Sequence, residues 1–175
     1  SQKINKRYYF TFCAQRESFC LLFMRKYIFP YGFELSFEKG KVSTFPAINL
    51  SLFKKNSNEE FSFLVLVDSG AEVSLFTKSD AELLGVSIKS GTKINIGIVN
   101  GDRFQAILHS RIIKIGEGKF KVSIAFSERN DTPRVLGRNP IFSYFFVIFD
   151  EKDKRTLFIP RRNKEFQKVI YAESK

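Results

Sequence analysis

The chain has 175 residues, which is enough for one domain of ordinary size and makes two well-packed domains a tight fit. Apolar residues make up 43% and charged residues 27% of the chain, and this balance excludes a disordered chain and a fibre. The formal net charge is +11, but residues 61–150 hold eleven Lys and Arg against nine Asp and Glu, so +9 of it belongs to the flanks.

The first thirty residues show neither clean alternation nor a helical stripe, and we interpret 1–30 as an N-terminal extension without an assigned role. Arg16 and Glu17 interrupt the apolar run from Tyr8 to Met24, which argues against a membrane span. That run also lacks a continuous apolar core followed by a small-residue cleavage site, so we expect a cytoplasmic protein. Residues 31–162 are predicted to form the domain, and 163–175 a basic C-terminal tail.

From Phe45 onward the pattern becomes short runs rich in Val, Ile, Phe and Thr, bounded by Gly, Asn, Asp or Ser about every ten residues. This spacing is typical of an all-β sandwich or barrel. The pair Asn100-Gly101 favours the tight turn of a hairpin. The predicted strands are 45–53, 60–67, 73–77, 92–99, 103–115, 119–127, 145–150 and 155–159.

Two short helices are predicted. Ser79 and Glu82 have the spacing of a capping box, in which each side chain accepts a hydrogen bond from a first-turn amide, and Gly85 is placed to end that helix. The second helix is expected to begin at Asn139-Pro140, with Asn139 as the cap and Pro140 in the first helical position.

One segment suggests chemistry. The apolar run 61–67 is followed by Asp68-Ser69-Gly70-Ala71. The Asp68 carboxylate is therefore expected at the end of a strand with little water around it. A carboxyl group in such a place is a candidate for proton transfer. Because Asp, Ser and Gly are also common turn residues, an ordinary turn is the competing interpretation.

A second segment lies about seventy residues later, at 134–139. Val135 and Leu136 are followed by Gly137, Arg138 and Asn139, which would open the predicted helix near the same sheet. A guanidinium there could hold a carboxylate through two parallel hydrogen bonds.

In this order and at this distance, the two segments resemble the motifs of the retropepsins, the retroviral-type aspartic proteases and their cellular and prokaryotic relatives. The resemblance covers roughly residues 42–160. Between its two motifs the family has a glycine-rich hairpin, the flap, and residues 94–101 match it in place and composition. The resemblance implies a mostly β fold: a closed acid-protease barrel with one short C-terminal helix and a flap hairpin.

The resemblance also implies roles for individual residues. Asp68 would be the catalytic aspartate, Ser69 would link two copies of the active-site loop, and Gly70 would receive the substrate backbone. The family commonly has an aspartate four residues after the catalytic one, paired with the motif arginine; this chain has Glu72 there, so a Glu72–Arg138 pair is expected. The remaining substrate-binding positions would be Ala71, Glu72, Gly97, Ile98 and Val99, and the supporting positions Gly137, Arg138 and Asn139.

The motif Asp-Ser/Thr-Gly occurs once, since Asp131-Thr132-Pro133 lacks the glycine. One chain would therefore supply one carboxylate where the chemistry needs two, and the expected enzyme is a homodimer with one Asp68 from each subunit. Two carboxylates so close share a proton: the charged one would activate water and the neutral one would donate to the scissile carbonyl of a peptide or protein substrate. This chemistry requires no metal and no organic cofactor.

Other activities find less support in the sequence. Cys13, Cys20 and His109 are too few for a structural zinc site or a convincing triad, and His109 lies in an alternating strand pattern. The stretch 119–126 has a basic and aromatic pattern compatible with a nucleic-acid-binding β domain, although any half-buried strand alternates in this way, and we expect no nucleic-acid partner. A retropepsin-like module that dimerises without cutting peptides is the remaining alternative.

Overall fold

The computed structural model describes residues 26–36, 41–97 and 103–171. Within these ranges the chain forms twelve strands and three helices. The strands are β1 (Tyr27–Pro30), β2 (Gly32–Ser36), β3 (Lys41–Phe45), β4 (Ala47–Phe53), β5 (Glu60–Val67), β6 (Ser74–Phe76), β7 (Thr92–Gly97), β8 (Arg103–Ile115), β9 (Gly118–Ser127), β10 (Val135–Leu136), β11 (Phe145–Asp150) and β12 (Arg155–Pro160). The helices are α1 (Lys78–Leu83), α2 (Ile141–Tyr144) and α3 (Lys164–Ile170).

Six strands close into a mixed barrel. They follow the order β4, β5, β10, β6, β9 and β8, and β8 returns to β4 through the pairs Ser51↔Lys114 and Leu52↔Ile113. The contacts of β5 with β10 and of β6 with β9 are parallel, and the other neighbours are antiparallel. The prediction of a mostly β, closed barrel is confirmed.

The barrel core is filled with aromatic and branched side chains. Along β5 the side chains of Phe63, Val65 and Val67 point inward, as the period of two in a strand requires. Phe76 is fully buried and packs edge-on against Phe63, with ring centroids 5.6 Å apart, and also contacts Phe126. Such edge-to-face pairs add to the free energy gained by burying the rings.

A second, three-stranded sheet has the order β1, β12, β11. Tyr27–Pro30 therefore pairs with β12, although no strand was predicted within the extension 1–30. Fully buried Phe145 and Phe158 join this sheet to the barrel core. Residues 1–25, which include Cys13 and Cys20, lie outside the described residues, and the domain boundaries stay predictions.

The predicted strands 60–67, 103–115 and 145–150 match β5, β8 and β11. The predicted strand 45–53 is interrupted, because β3 ends at Phe45 and β4 begins at Ala47. Pro46 separates them: it has no N–H to donate, and its carbonyl oxygen accepts from Val67 N at 2.8 Å. Strands β1, β2 and β10, and all of β3 except Phe45, were not predicted.

The helix caps differ from the predicted ones. The capping box of α1 is formed by Thr77 and Asp80, not by Ser79 and Glu82, because β6 ends at Phe76 and the extended Thr77 directly follows it. Gly85 has φ +64°, the left-handed conformation expected after the helix.

Helix α2 begins at Ile141 after a cis Asn139–Pro140 peptide bond, and no side chain caps it, so the prediction that Asn139 caps this helix is wrong. The predicted tail contains α3, which Asn163 caps by accepting from Phe166 N. None of the helices in the described ranges is long and apolar enough to cross a membrane.

Candidate active site

The candidate site lies where β10 inserts between β5 and β6. Val135 pairs with Leu66 on one side and with Leu75 on the other. The segment 68–73, which joins β5 to β6, therefore has to pass around the end of β10. Both residues of β10 are buried, so this short strand is held by apolar packing as well as by its hydrogen bonds.

The half-buried Asp68 begins this connecting segment. Its backbone N–H donates to Leu136 O at 3.1 Å, which fixes the residue to β10. Its Oδ1 accepts a hydrogen bond from Gly70 N at 2.7 Å, so the turn orients the carboxylate. Ser69 and Gly70 are exposed. The site thus presents one oriented carboxylate at the end of a buried strand.

The second predicted motif meets the first through the backbone. Arg138 N donates to Ala71 O and Asn139 N to Glu72 O, each at 2.9 Å. Gly137 N donates to the hydroxyl oxygen of the fully buried Ser74 at 3.1 Å. Three successive N–H groups of the later motif therefore hold the segment that follows Asp68.

The expected ion pair between Glu72 and Arg138 is not among the ion pairs of the described residues. Both side chains are exposed, and the backbone bonds of this region join Arg138 to Ala71 and Asn139 to Glu72. The extra methylene of Glu72 fits this outcome, because a longer side chain has more freedom to lose when it pairs at an exposed position.

Sequence reasoning missed another ion pair beside the site. Arg134 Nε and Nη2 donate to the two carboxylate oxygens of Asp80 at 2.9 and 2.8 Å. Burial raises the pKa of Asp80, but hydrogen bonds from Arg134 and Thr77 outweigh it, and the pKa lies below the ordinary value of an aspartate. Because Arg134 directly precedes β10 and its carbonyl accepts from Leu66 N, this pair anchors the inserted strand to α1.

The β7–β8 hairpin lies against the same region. Ile94, Ile96 and Phe104 pack on a small cluster of buried residues that Ala71 and Val73 also contact. Gly97 pairs with Arg103 at the last described position of the hairpin. Residues 98–102 lie outside the described residues, and with them the predicted substrate contacts Ile98 and Val99 and the predicted Asn100-Gly101 turn.

His109, the one histidine of the sequence, lies elsewhere in the barrel. His109 Nε2 is 3.0 Å from Ser87 O, and its ring contacts the Phe126 ring edge-on. No group of three or more His, Cys, Asp or Glu that could hold a metal ion occurs within residues 26–36, 41–97 and 103–171.

No protein-family model matches the sequence, and a comparison with curated proteins found no significant match. A solved structure of a retropepsin-like aspartic protease from Rickettsia conorii superposes with a TM-score of 0.54. It is 18% identical, and the match covers 77% of this chain and 90% of that one. The chain has the retropepsin-like fold. The EIAV protease complexed with the inhibitor HBY-793 is 22% identical, with a TM-score of 0.43 over 56% of this chain and 86% of that chain.

Within this retropepsin-like fold, Gly137 is predicted to be a position that cannot accept a side chain unless the backbone moves. A Cβ at 137 would lie 2.5 Å from the Val73 carbonyl carbon and 2.6 Å from its oxygen. We expect Gly137→Ala to lower the free energy of unfolding by about 1–3 kcal/mol, because backbone must move to relieve the contact. Urea unfolding measures the change. Gly97→Ala is the matched control, since its Cβ would meet nothing within 4 Å; equal losses in both variants would contradict the argument.

The Asp80–Arg134 pair predicts a pH-dependent contribution to the stability of the barrel. Since folding lowers the pKa of Asp80, its contribution is complete above the ordinary pKa of about 3.9 and is lost as pH falls through the lower folded value. At neutral pH we expect Asp80→Asn to cost about 1–3 kcal/mol, less than a fully buried pair because the Arg134 side chain is 41% exposed.

The difference between the Asp80→Asn variant and the wild type should therefore shrink as the pH falls below about 4. Urea unfolding at a series of pH values measures it. Asp131→Asn, which breaks the exposed pair with Arg129, is the control and should change stability little. A difference for Asp80→Asn that stays constant with pH would contradict the assignment.

Proposed function

We propose that this protein is a homodimeric aspartic endopeptidase that uses one Asp68 from each subunit. The observation that carries the proposal is the oriented Asp68 carboxylate at the end of a buried strand, beside the inserted β10, in a barrel with the retropepsin-like fold. The Asp68-Ser69-Gly70-Ala71 and Val135-Leu136-Gly137-Arg138-Asn139 motifs support it, because the backbone bonds between their segments fix Asp68 in place.

The reaction requires two carboxylates that share one proton. Like charges a few ångströms apart resist simultaneous ionisation, so one Asp68 stays neutral while the other is charged. The charged carboxylate takes a proton from water as the water oxygen attacks the scissile carbonyl carbon. The neutral carboxyl donates its proton to the carbonyl oxygen. The first carboxyl then passes the proton that it took from water to the peptide nitrogen, while the second takes back a proton from a hydroxyl of the intermediate. The C–N bond breaks, an amine and a carboxylic acid leave, and the pair again shares one proton. Two symmetric subunits supply both groups from one motif.

The surroundings of Asp68 suit an extended peptide. The N–H of Gly70 is used by the Asp68 carboxylate, so the Gly70 carbonyl is the group proposed to accept from the substrate backbone. Ala71 and Glu72 use their carbonyls to hold Arg138 and Asn139, so they contribute to the substrate site through their side chains. Ser69 is proposed to contact the loop of the second subunit, where its exposure permits such a contact.

The β7–β8 hairpin is proposed to be the flap. Its described part packs on the apolar cluster that Ala71 and Val73 also contact, so the base of the hairpin is held beside the segment that follows Asp68. Gly97, with open space around its Cα, and the further positions Ile98 and Val99 would cover the bound peptide. Main-chain hydrogen bonds of the kind made in a sheet would hold that peptide in an extended form.

Replacing the catalytic group tests the proposal directly. We expect Asp68→Asn to lower kcat/KM by about a thousandfold or more, because the amide can neither share the proton nor activate water. Cleavage of an unfolded protein from mildly acidic to neutral pH, with and without a statine-type inhibitor, measures the activity. Urea unfolding and sizing chromatography should show an unchanged fold and an unchanged dimer.

The matched control is Asp131→Asn, which alters the superficially similar Asp131-Thr132-Pro133 sequence on the exposed surface. Its activity should stay within about twofold of the wild type. Activity that survives Asp68→Asn would remove the proposed mechanism. A stable dimer without any cleavage would instead favour the non-catalytic dimerisation module.

Mixing the two forms tests whether both subunits contribute. If Asp68→Asn subunits exchange with wild-type ones, an equal amount should lower the activity per wild-type subunit to about half, and a threefold excess to about a quarter. The physical reason is that a mixed dimer has only one ionisable carboxyl group at its centre. A wild-type activity that is insensitive to the added variant after full subunit exchange would exclude a shared site.

A further inference from the structure

A groove of about 850 Å³ lies at the opposite end of β5 from Asp68. Its walls come from the turn between β4 and β5 and from the middle of β8 and β9, and they carry four cations. The cations are Lys54, Lys55, Arg111 and Lys121. The hydroxyl groups of Ser57 and Ser110 and two asparagine amides add neutral polar groups. No Asp or Glu lines the groove.

The positive charge of the groove is only partly balanced. Lys54 pairs with Glu59 at 2.9 Å. Lys55, Arg111 and Lys121 form no ion pair within the described ranges. Like charges that share a concave surface repel one another, so a bound anion would lower the electrostatic energy of this surface.

Arg111 is the central cation of the groove. One terminal nitrogen of its guanidinium donates to Phe53 O, which holds the side chain against the groove wall. Its Nε is buried and makes no hydrogen bond in the described structure. Burial lowers the pKa of Arg111, because the charged form is partly removed from water without a compensating carboxylate. An oxyanion would supply the missing charge through the exposed part of the guanidinium.

We propose that this groove binds a ligand carrying several phosphate groups, with Arg111, Lys55 and Lys121 as its charged contacts. Arginine and lysine together with serine and asparagine side chains are the usual donors to phosphate oxygens. The groove, at about 850 Å³, has room for more than one phosphate group. The phosphate groups could belong to a small polyphosphorylated compound or to a single-stranded nucleic acid.

The site is separate from the proposed protease centre. Eight residues at about 3.3 Å each place roughly 26 Å between the start of β5 and Asp68. All of the residues that line the groove belong to one chain and none is a proposed catalytic residue, so binding there can be tested whether or not the protein cleaves peptides.

The test compares two double variants that remove the same charge. Lys55→Gln/Lys121→Gln changes the groove at exposed positions, and Lys152→Gln/Lys164→Gln changes exposed lysines on the β11–β12 turn and on α3, outside the groove. The probes are inorganic triphosphate, a short single-stranded oligonucleotide and an oligoglutamate peptide, each measured at low salt by calorimetry or fluorescence anisotropy. Thermal unfolding verifies that both variants fold.

We expect triphosphate or the oligonucleotide to bind the wild type, and the groove variant to bind about tenfold more weakly while the control changes less than about twofold. Binding should weaken as salt is raised. Binding of triphosphate would indicate a small phosphorylated ligand, whereas binding of the oligonucleotide alone would indicate a nucleic-acid backbone. Equal losses in the two variants, equal affinity for oligoglutamate, or no binding of either phosphate probe would overturn the proposal.

Discussion

The close approach of residue 137 to the backbone of Val73 and Ser74 is the constraint on which the candidate site depends. Only a residue without a Cβ allows Gly137 N to reach the Ser74 hydroxyl, and this contact starts the series of bonds from Arg138 and Asn139 to Ala71 and Glu72. The same region places β10 between β5 and β6, and β10 in turn fixes Asp68 through Leu136 O. The absence of a side chain at Gly137 thus determines the position of the Asp68 carboxylate.

The parts of the fold that could be predicted are those with a local signal. The apolar run 61–67 and the alternating residues of 103–115 predict strands by themselves, and an aspartate at the end of an apolar strand is recognisable as a candidate site residue from the sequence alone. Strand β10 has only two residues and no periodicity, so its place depends on partners about seventy residues away. The cap of α1 was predicted at the wrong residue because Thr77 with Asp80 and Ser79 with Glu82 both have the spacing of a capping box. Strand β6 ends at Phe76, so Thr77 is the residue that caps the helix.

The expected and the observed ion pair near the site also differ in how far the sequence could predict them. The expected Glu72–Arg138 pair rested on the resemblance to the retropepsins, and these two exposed side chains form no ion pair with each other in the described structure. The pair that forms, between Arg134 and Asp80, joins residues 54 positions apart, and nothing in the local sequence links them. Asp80 is 2% exposed, so it needs a partner there, and only the insertion of β10 brings Arg134 to it.

The parallel pairings of the barrel also bear on how the chain acquires its structure. Leu66 meets Val135 and Ser74 meets Ile124, which are separations of 69 and 50 residues. Closing such long loops costs conformational entropy before the contacts contribute their favourable free energy, so these pairings form late during folding. A chain emerging from the ribosome has its Asp68 turn long before it has β10, and the carboxylate becomes fixed only when synthesis has passed the second motif. The geometry of the Asp68 turn therefore depends on contacts that a partly synthesised chain cannot yet make.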